Sequence, residues 1–306
     1  MLEPYLTPLG PAGSTVGRAR IVRARDECRL GGVGRSQDAH PLDRDGHGLS
    51  VQLLGQGPAV RGPTIPSADA PTSFTAATFR FFRGLARHNA KPWFEAHRAD
   101  YERDVRAPMQ ALIEEMDVRL ARLAPEITGD SKRSMFRIYR DIRFSKDKSP
   151  YKTHAACWFR HRDADARVGG DAEGGGAGFY VHIAPGSSFV GAGIWMPPRP
   201  ILNRLRDAIA QDSKGFERIV RGSSFRRRYG SLDEDATLKR MPRGFPETHP
   251  AAHWLKYQSY TAGRRLSDTQ ATSARLPTLL ESDFAQLLPL VRWLNGALGL
   301  RAAQRR

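Results

Sequence analysis

Residues 136–154, FRIYRDIRFSKDKSPYKTH, concentrate groups that handle anions: Arg137, Arg140, Arg143, Lys146, Lys148 and Lys152 stand against only Asp141 and Asp147. Arginine forks bidentately onto carboxylate or phosphate, whereas lysine is a compact point charge. The chain holds 40 arginines and eight lysines, yet four lysines, Lys132, Lys146, Lys148 and Lys152, fall within 21 residues. A chain that elsewhere uses arginine places ammonium groups here, which points to positions that want one. Ser145 and Tyr151 add hydroxyl donors to the same turn. The chemistry implied is binding of a phosphate-bearing or otherwise anionic ligand. If a reaction follows, it is phosphoryl-ester hydrolysis or transfer, with Asp147 or His182 as general acid or base.

The elements that must position these groups are legible nearby. Phe136, Ile138, Arg140, Ile142 and Phe144 alternate with Arg137, Tyr139, Asp141 and Arg143, which predicts a strand with one mostly apolar face. Asp141, flanked by arginines on its own face, would stay ionised and hold their forks in place. Ser145 to Pro150 reads as a turn, with Ser149 pushed extended by Pro150. Thr153 to Arg160 reads as a second strand. A hairpin would therefore return Tyr151, Lys152 and His154 beside the arginines. The competing reading is an ion-pair network that orders a hairpin and binds nothing, because exposed charge pairs contribute little each.

Around this segment the hydrophobic period changes from helix to strand and back. Phe74 to Arg87 predicts an amphipathic helix capped by Ser73 or Thr75, with Phe79, Phe82 and Leu85 inward. Pro92 suits the first turn of a second helix, with Trp93, His97, Tyr101 and Val105 spaced four apart. Pro108 restarts or kinks the chain before Met109, Leu112, Ile113, Met116, Leu120 and Leu123. Phe179–Ile183 and Ser188–Trp195 flank Pro185-Gly186, a hairpin signal. Pro200 opens a helix through Ile201, Leu205 and Ile209, which Phe216 to Val220 continues. Trp254 to Tyr260 reads as mixed helix and strand, and a last helix carries Phe284 to Leu298. Helices, a mostly antiparallel sheet and further helices make an α+β fold.

Residues 1–73 are a different material. They hold eight prolines, 11 glycines and one aromatic, Tyr5, with eight basic and seven acidic groups. Such a stretch buries too little apolar surface to offset its ordering entropy, so a disordered tail precedes one domain over 74–300 and a short basic end, 301–306. The full chain has 48 Lys+Arg against 32 Asp+Glu, a formal charge of +16. No stretch approaches the roughly 18 apolar residues of a membrane span. Cys28 and Cys157 form no CxxC, which excludes a cysteine scaffold and suits a reducing, cytoplasmic compartment.

Weaker constellations carry less. His249 and His253 stand four apart, as in helical metal pairs, but no third ligand follows, and no metal is expected. Arg226-Arg227-Arg228-Tyr229 suits phosphate-backbone contact or a solvated turn. The glycine-rich stretch 169–178 is too irregular for a phosphate cradle, and phosphate-loop, dinucleotide, zincin and serine-elbow motifs are absent. Cys157 reads as a buried small hydrophobe.

The run from Phe136 to Lys152 resembles the signature of a widespread family, domain of unknown function 2461. The resemblance extends to Asn89, Trp93-Phe94, Tyr101 and Pro108, to Gly178–His182 and Gly193, and to Pro246–Leu255 and Leu290–Leu298, covering about residues 74–300. One departure is Ala90, where the family tends to repeat Asn and this chain lacks a capping side chain. The resemblance implies a cytoplasmic α+β domain and brings no activity. Three function classes follow: an anion-binding protein or enzyme at the hairpin, a non-catalytic nucleic-acid-binding module, and a scaffold with no ligand.

Overall fold

The computed structural model describes residues 73–143, 146–164 and 175–303. The expectations for residues 1–72, Phe144, Ser145, the stretch 169–174 and the last three residues therefore lie outside the described residues.

The N-terminal helices form where periodicity and capping coincide. Helix α1 (Ala76–Arg87) starts at Thr75, whose hydroxyl accepts the Ala77 N–H at 3.2 Å while Thr78 caps back at 3.1 Å. Phe79, Phe82 and Leu85 are buried, as the spacing requires. Helices α2 (Lys91–Ala96) and α3 (Arg98–Tyr101) follow, then a π-turn over Glu102–Arg106 and α4 (Ala107–Leu123). Pro108 explains the π-turn: it offers no N–H to the Asp104 carbonyl and its ring crowds that oxygen. The buried Thr78 hydroxyl donates to the same carbonyl at 2.6 Å, so the group Pro108 leaves is satisfied from another helix.

Strands β1 (Ile127–Thr128), β2 (Ala155–His161), β3 (Gly178–Ile183), β4 (Phe189–Ile194) and β5 (Tyr260–Arg265) lie in that order, all neighbours antiparallel. The β3–β4 hairpin turns at Gly186, whose φ of 67° suits glycine. Helices α5 (Arg199–Gln211), α6 (Ser213–Val220), α7 (Ser223–Tyr229), α8 (Ala252–Leu255) and α9 (Asp268–Ala271) lead to α10 (Leu276–Ala297). The core lies between one face of the sheet and helices α4 and α10: Phe284 of α10 meets Phe159 at 5.6 Å and stacks on Phe179 at 4.2 Å. The α+β reading holds.

Three local expectations change. Phe216–Val220 does not continue the preceding helix, because Asp212 ends it and caps α6 through the Gly215 N–H at 2.9 Å. The stretch after α7 contains unexpected pairing with the segment that leads into β5: Asp233 and Leu238 donate N–H bonds to the Thr261 and Lys256 carbonyls, Ala236 accepts the Gln258 N–H, and Thr237 bridges Tyr257. Residues 136–143 are not a regular strand. They pair with the 150–158 segment through isolated bridges, Met135 to Cys157 and Tyr139 to Tyr151. The register slips by two residues between these bridges, which leaves a bulge about Thr153-His154. Past Arg140 the aspartates take the backbone: the Asp141 carboxylate accepts the Arg143 N–H at 3.2 Å, and Asp147 accepts the Ser149 N–H at 2.9 Å. Side-chain bonds of this kind compete with strand ladders.

Candidate functional site

The hairpin splits its charges into two populations. Arg140 is ion-paired with Asp147, and Arg143 forks onto Asp141 at 2.7 and 3.0 Å. Asp147 also accepts the Ser149 hydroxyl at 2.6 Å. The two Ser149 bonds, then Arg140, hold the Asp147 carboxyl well below the usual carboxylate range. Asp147 is thus a fixed counter-charge at neutral pH rather than a proton donor. Asp141 likewise raises the affinity of Arg143 for its proton. Arg137, Lys146 and Lys148 are exposed, and among the described residues no acid pairs with them; the Lys148 ammonium donates to the Ile142 carbonyl at 2.9 Å.

Tyr151 does not join them. Only 2% exposed, it stacks on Phe94 with ring centroids 4.4 Å apart, so its ring belongs to the core. Asn89 fixes it there, donating to the Tyr151 carbonyl at 2.9 Å and accepting its N–H at 3.0 Å. Those two bonds replace a strand partner and anchor the hairpin to the N-terminal helices.

The return arm carries Lys152 and His154 onto the sheet face opposite α4 and α10. The Lys152 ammonium lies 5.3 Å from the centroid of Phe136. The His154 and His182 rings are 4.1 Å apart, and the Tyr180 hydroxyl lies 3.2 Å from His182 Nδ1. Phe136 meets Tyr180 edge-on at 5.9 Å, and Phe189 stacks on His182 at 4.7 Å. All these rings are half-buried. The structure therefore brings together Lys152, His154 and His182 from the hairpin and β3, and leaves Tyr151 on the other side.

At the far edge of the same face, Gly193 (φ 124°) pairs with Thr261. A β-carbon at Gly193 would strike the Tyr260 carbonyl and one at Gly263 the Val190 carbonyl, so β4 and β5 approach this closely only because these residues are glycine. Opposite Thr261 sits Asp233, accepting its hydroxyl at 2.8 Å while the Asp233 N–H bonds the Thr261 carbonyl at 2.8 Å. Burial pushes the Asp233 carboxyl up to about 7, and Asp235 adds to the rise against the Thr261 bond. Trp158, Tyr180 and Asp233 were not anticipated as site residues. The alternation of β2 and β3 marks the two rings, but nothing local marks Asp233.

The remaining constellations have structural partners. Arg228 and Tyr229 bond the buried Asp283 at 2.6 and 3.0 Å, and α7 packs at the β5 edge, across the sheet from the hairpin. His249 accepts the Ala251 N–H outside a helix, while His253 lies 3.4 Å from the Tyr257 hydroxyl. Among the described residues no cluster of three His, Cys, Asp or Glu is placed to hold a metal, and no helix is long and apolar enough to cross a membrane. Cys157 is fully buried, which pushes its thiol well up.

A family model described as a conserved hypothetical protein, DUF2461, matches residues 77–293. No curated protein and no solved structure matches the chain.

Proposed function

The chain belongs to the DUF2461 family of conserved hypothetical proteins, and from the site this fold builds we propose that it binds an anionic, phosphate-bearing ligand where the hairpin meets the sheet. One observation carries the reading: the hairpin's return arm delivers an ammonium, Lys152, and an imidazole, His154, onto the face that holds His182 and Tyr180. Imidazoles are the groups that both donate to anions and move protons near neutral pH. His182 is accordingly the general acid or base of any phosphoryl-ester turnover, and Asp147 the counter-charge that keeps Arg140 in place.

The test is ligand-induced stabilisation of the full chain by inorganic phosphate, pyrophosphate and a sugar phosphate. A ligand at about 100 times its Kd adds about 2.7 kcal/mol to stability, a readable thermal shift. Arg137→Ala/Lys146→Ala removes two exposed charges without touching an ion pair, and Lys152→Met keeps the buried stem without its charge. Both variants should weaken binding at least tenfold. Equal shifts in variants and wild type, or no shift with any phosphate, would leave the hairpin as a scaffold.

A further inference from the structure

Antiparallel sheets with one covered face usually present polar side chains on the other. Here that alternation fails. The strand register aligns Ala156, His182, Phe189 and Arg265 in one row, with Phe136 continuing it through its N–H bond to the Ala156 carbonyl at 3.0 Å. The next row aligns Trp158, Tyr180, Gly191 and Gly263. Each of three successive strands therefore places an aromatic or histidine on this face, and two glycines leave a low floor beside Tyr180 and Phe189. Half-exposed rings gathered on one surface mark a contact site.

The ends of these rows are cationic. The Lys152 ammonium lies 5.3 Å from the Phe136 ring at one end, and the exposed Arg265 closes the same row at β5. Arg160 stands two residues beyond Trp158 on β2, which places it on the same face. At a strand spacing of about 4.8 Å, the row from Phe136 to Arg265 crosses about 19 Å. An apolar peptide would gain nothing from cations at both ends, and an acidic peptide would not use the flat rings between them. A polymer that alternates planar bases with phosphates uses both. The formal charge of +16 draws such a polyanion to the whole molecule.

We propose that this sheet face is a stacking platform for single-stranded nucleic acid, with bases on Trp158, Tyr180 and Phe189 and the backbone running between the hairpin cations and Arg265. The proposal deepens the anion-site reading and rests on it. Aromatic sheet faces of this width stack two or three bases, and a duplex, whose bases are already stacked, does not offer them. Rings tolerate every base, so sequence preference is weak.

The experiment compares three probes on the full chain by anisotropy and competition: a short oligo(dT), a duplex of equal length, and inorganic polyphosphate, which is a polyanion without bases. The expected result is oligo(dT) binding at least tenfold tighter than either. Trp158→Leu/Phe189→Leu keeps apolar bulk without rings; circular dichroism and the melting temperature verify its fold. It should lose at least tenfold for oligo(dT), leave polyphosphate affinity unchanged, and keep the salt slope, which counts phosphate contacts. Arg137→Ala/Lys146→Ala should instead flatten that slope for both polyanions. Trp158→Tyr/Phe189→Tyr, which preserves stacking, should retain wild-type affinity. If polyphosphate competes as well as oligo(dT) and the ring variant binds both normally, the platform is refuted while the anion site stands. A duplex bound as tightly as the single strand also refutes it. If no polyanion binds, the platform and the reading beneath it both fall.

Discussion

Asp233 gives the pH dependence of stability a definite sign. In the unfolded chain its carboxyl titrates near 3.8, and in the fold at about 7, chiefly because burial disfavours the charge. Between those values the folded state holds a proton that the unfolded state has released, so stability falls as pH rises, and the contribution is complete only below the unfolded value. At 1.36 kcal/mol per tenfold change in proton affinity, the separation is worth about 4 kcal/mol, reduced toward about 2 by solvent reaching a half-buried group. Asp233→Asn keeps an acceptor for the Thr261 hydroxyl and removes the titration. Denaturant unfolding of both proteins from pH 4.5 to 8.5 should give a difference that grows in favour of the variant up to about pH 7 and then levels. Other carboxylates cancel in that difference, including Asp147, whose depressed titration acts with the opposite sign. Thr261→Val removes the hydrogen bond that lowers the Asp233 carboxyl and should move the window further up. A difference that stays flat across the range would refute the desolvation argument.

Two other substitutions test how the fold positions the site. Thr78→Val should cost about 1–3 kcal/mol, read as a lower denaturation midpoint, because the Asp104 carbonyl loses its donor and Pro108 supplies none; Pro108→Ala in the same background should recover part of the loss. Asp283→Ala should cost about 3–5 kcal/mol, since that fully buried carboxylate is shared by Arg228, Arg264 and Tyr229, and its removal leaves two guanidinium groups without their counter-charge. An unchanged midpoint in either case would show that the contact is not the one holding the packing.

Helices were legible in the sequence because their evidence is local: Phe79, Phe82 and Leu85 repeat within one element, and the β3–β4 hairpin announces itself through Pro185-Gly186. The hairpin at 136–154 was legible in part. The periodicity of Ile138, buried, and Tyr139, exposed, is real, but the backbone bonds of Asp141 and Asp147 break the ladder that periodicity predicts. What sequence alone withheld is register. Trp158, Tyr180 and Phe189 belong to three strands, and alternation assigns each a side without saying which lie beside one another. Asp233 was hidden more deeply, since its partner Thr261 is 28 residues away and joined to it through pairing that no strand pattern marks.

The two readings of the cationic hairpin, an ion-pair network and an anion site, are then parts of one device. Arg140 with Asp147 and Arg143 with Asp141 tie the turn to itself, and Asn89 ties its return arm to the N-terminal helices. A flexible loop carrying the same cations would lose conformational entropy each time it closed on a ligand, which weakens binding. Here two arginines and both aspartates hold the turn, so Arg137, Lys146 and Lys148 stand on an ordered frame without an acid of their own among the described residues. Removing the frame should therefore weaken anion binding even though Asp147 is itself an anion: Asp147→Asn would raise the net positive charge, yet lower affinity by freeing Arg140 and the Ser149 turn. A variant that bound phosphate more tightly would show that charge alone, and not the ordered turn, governs the site.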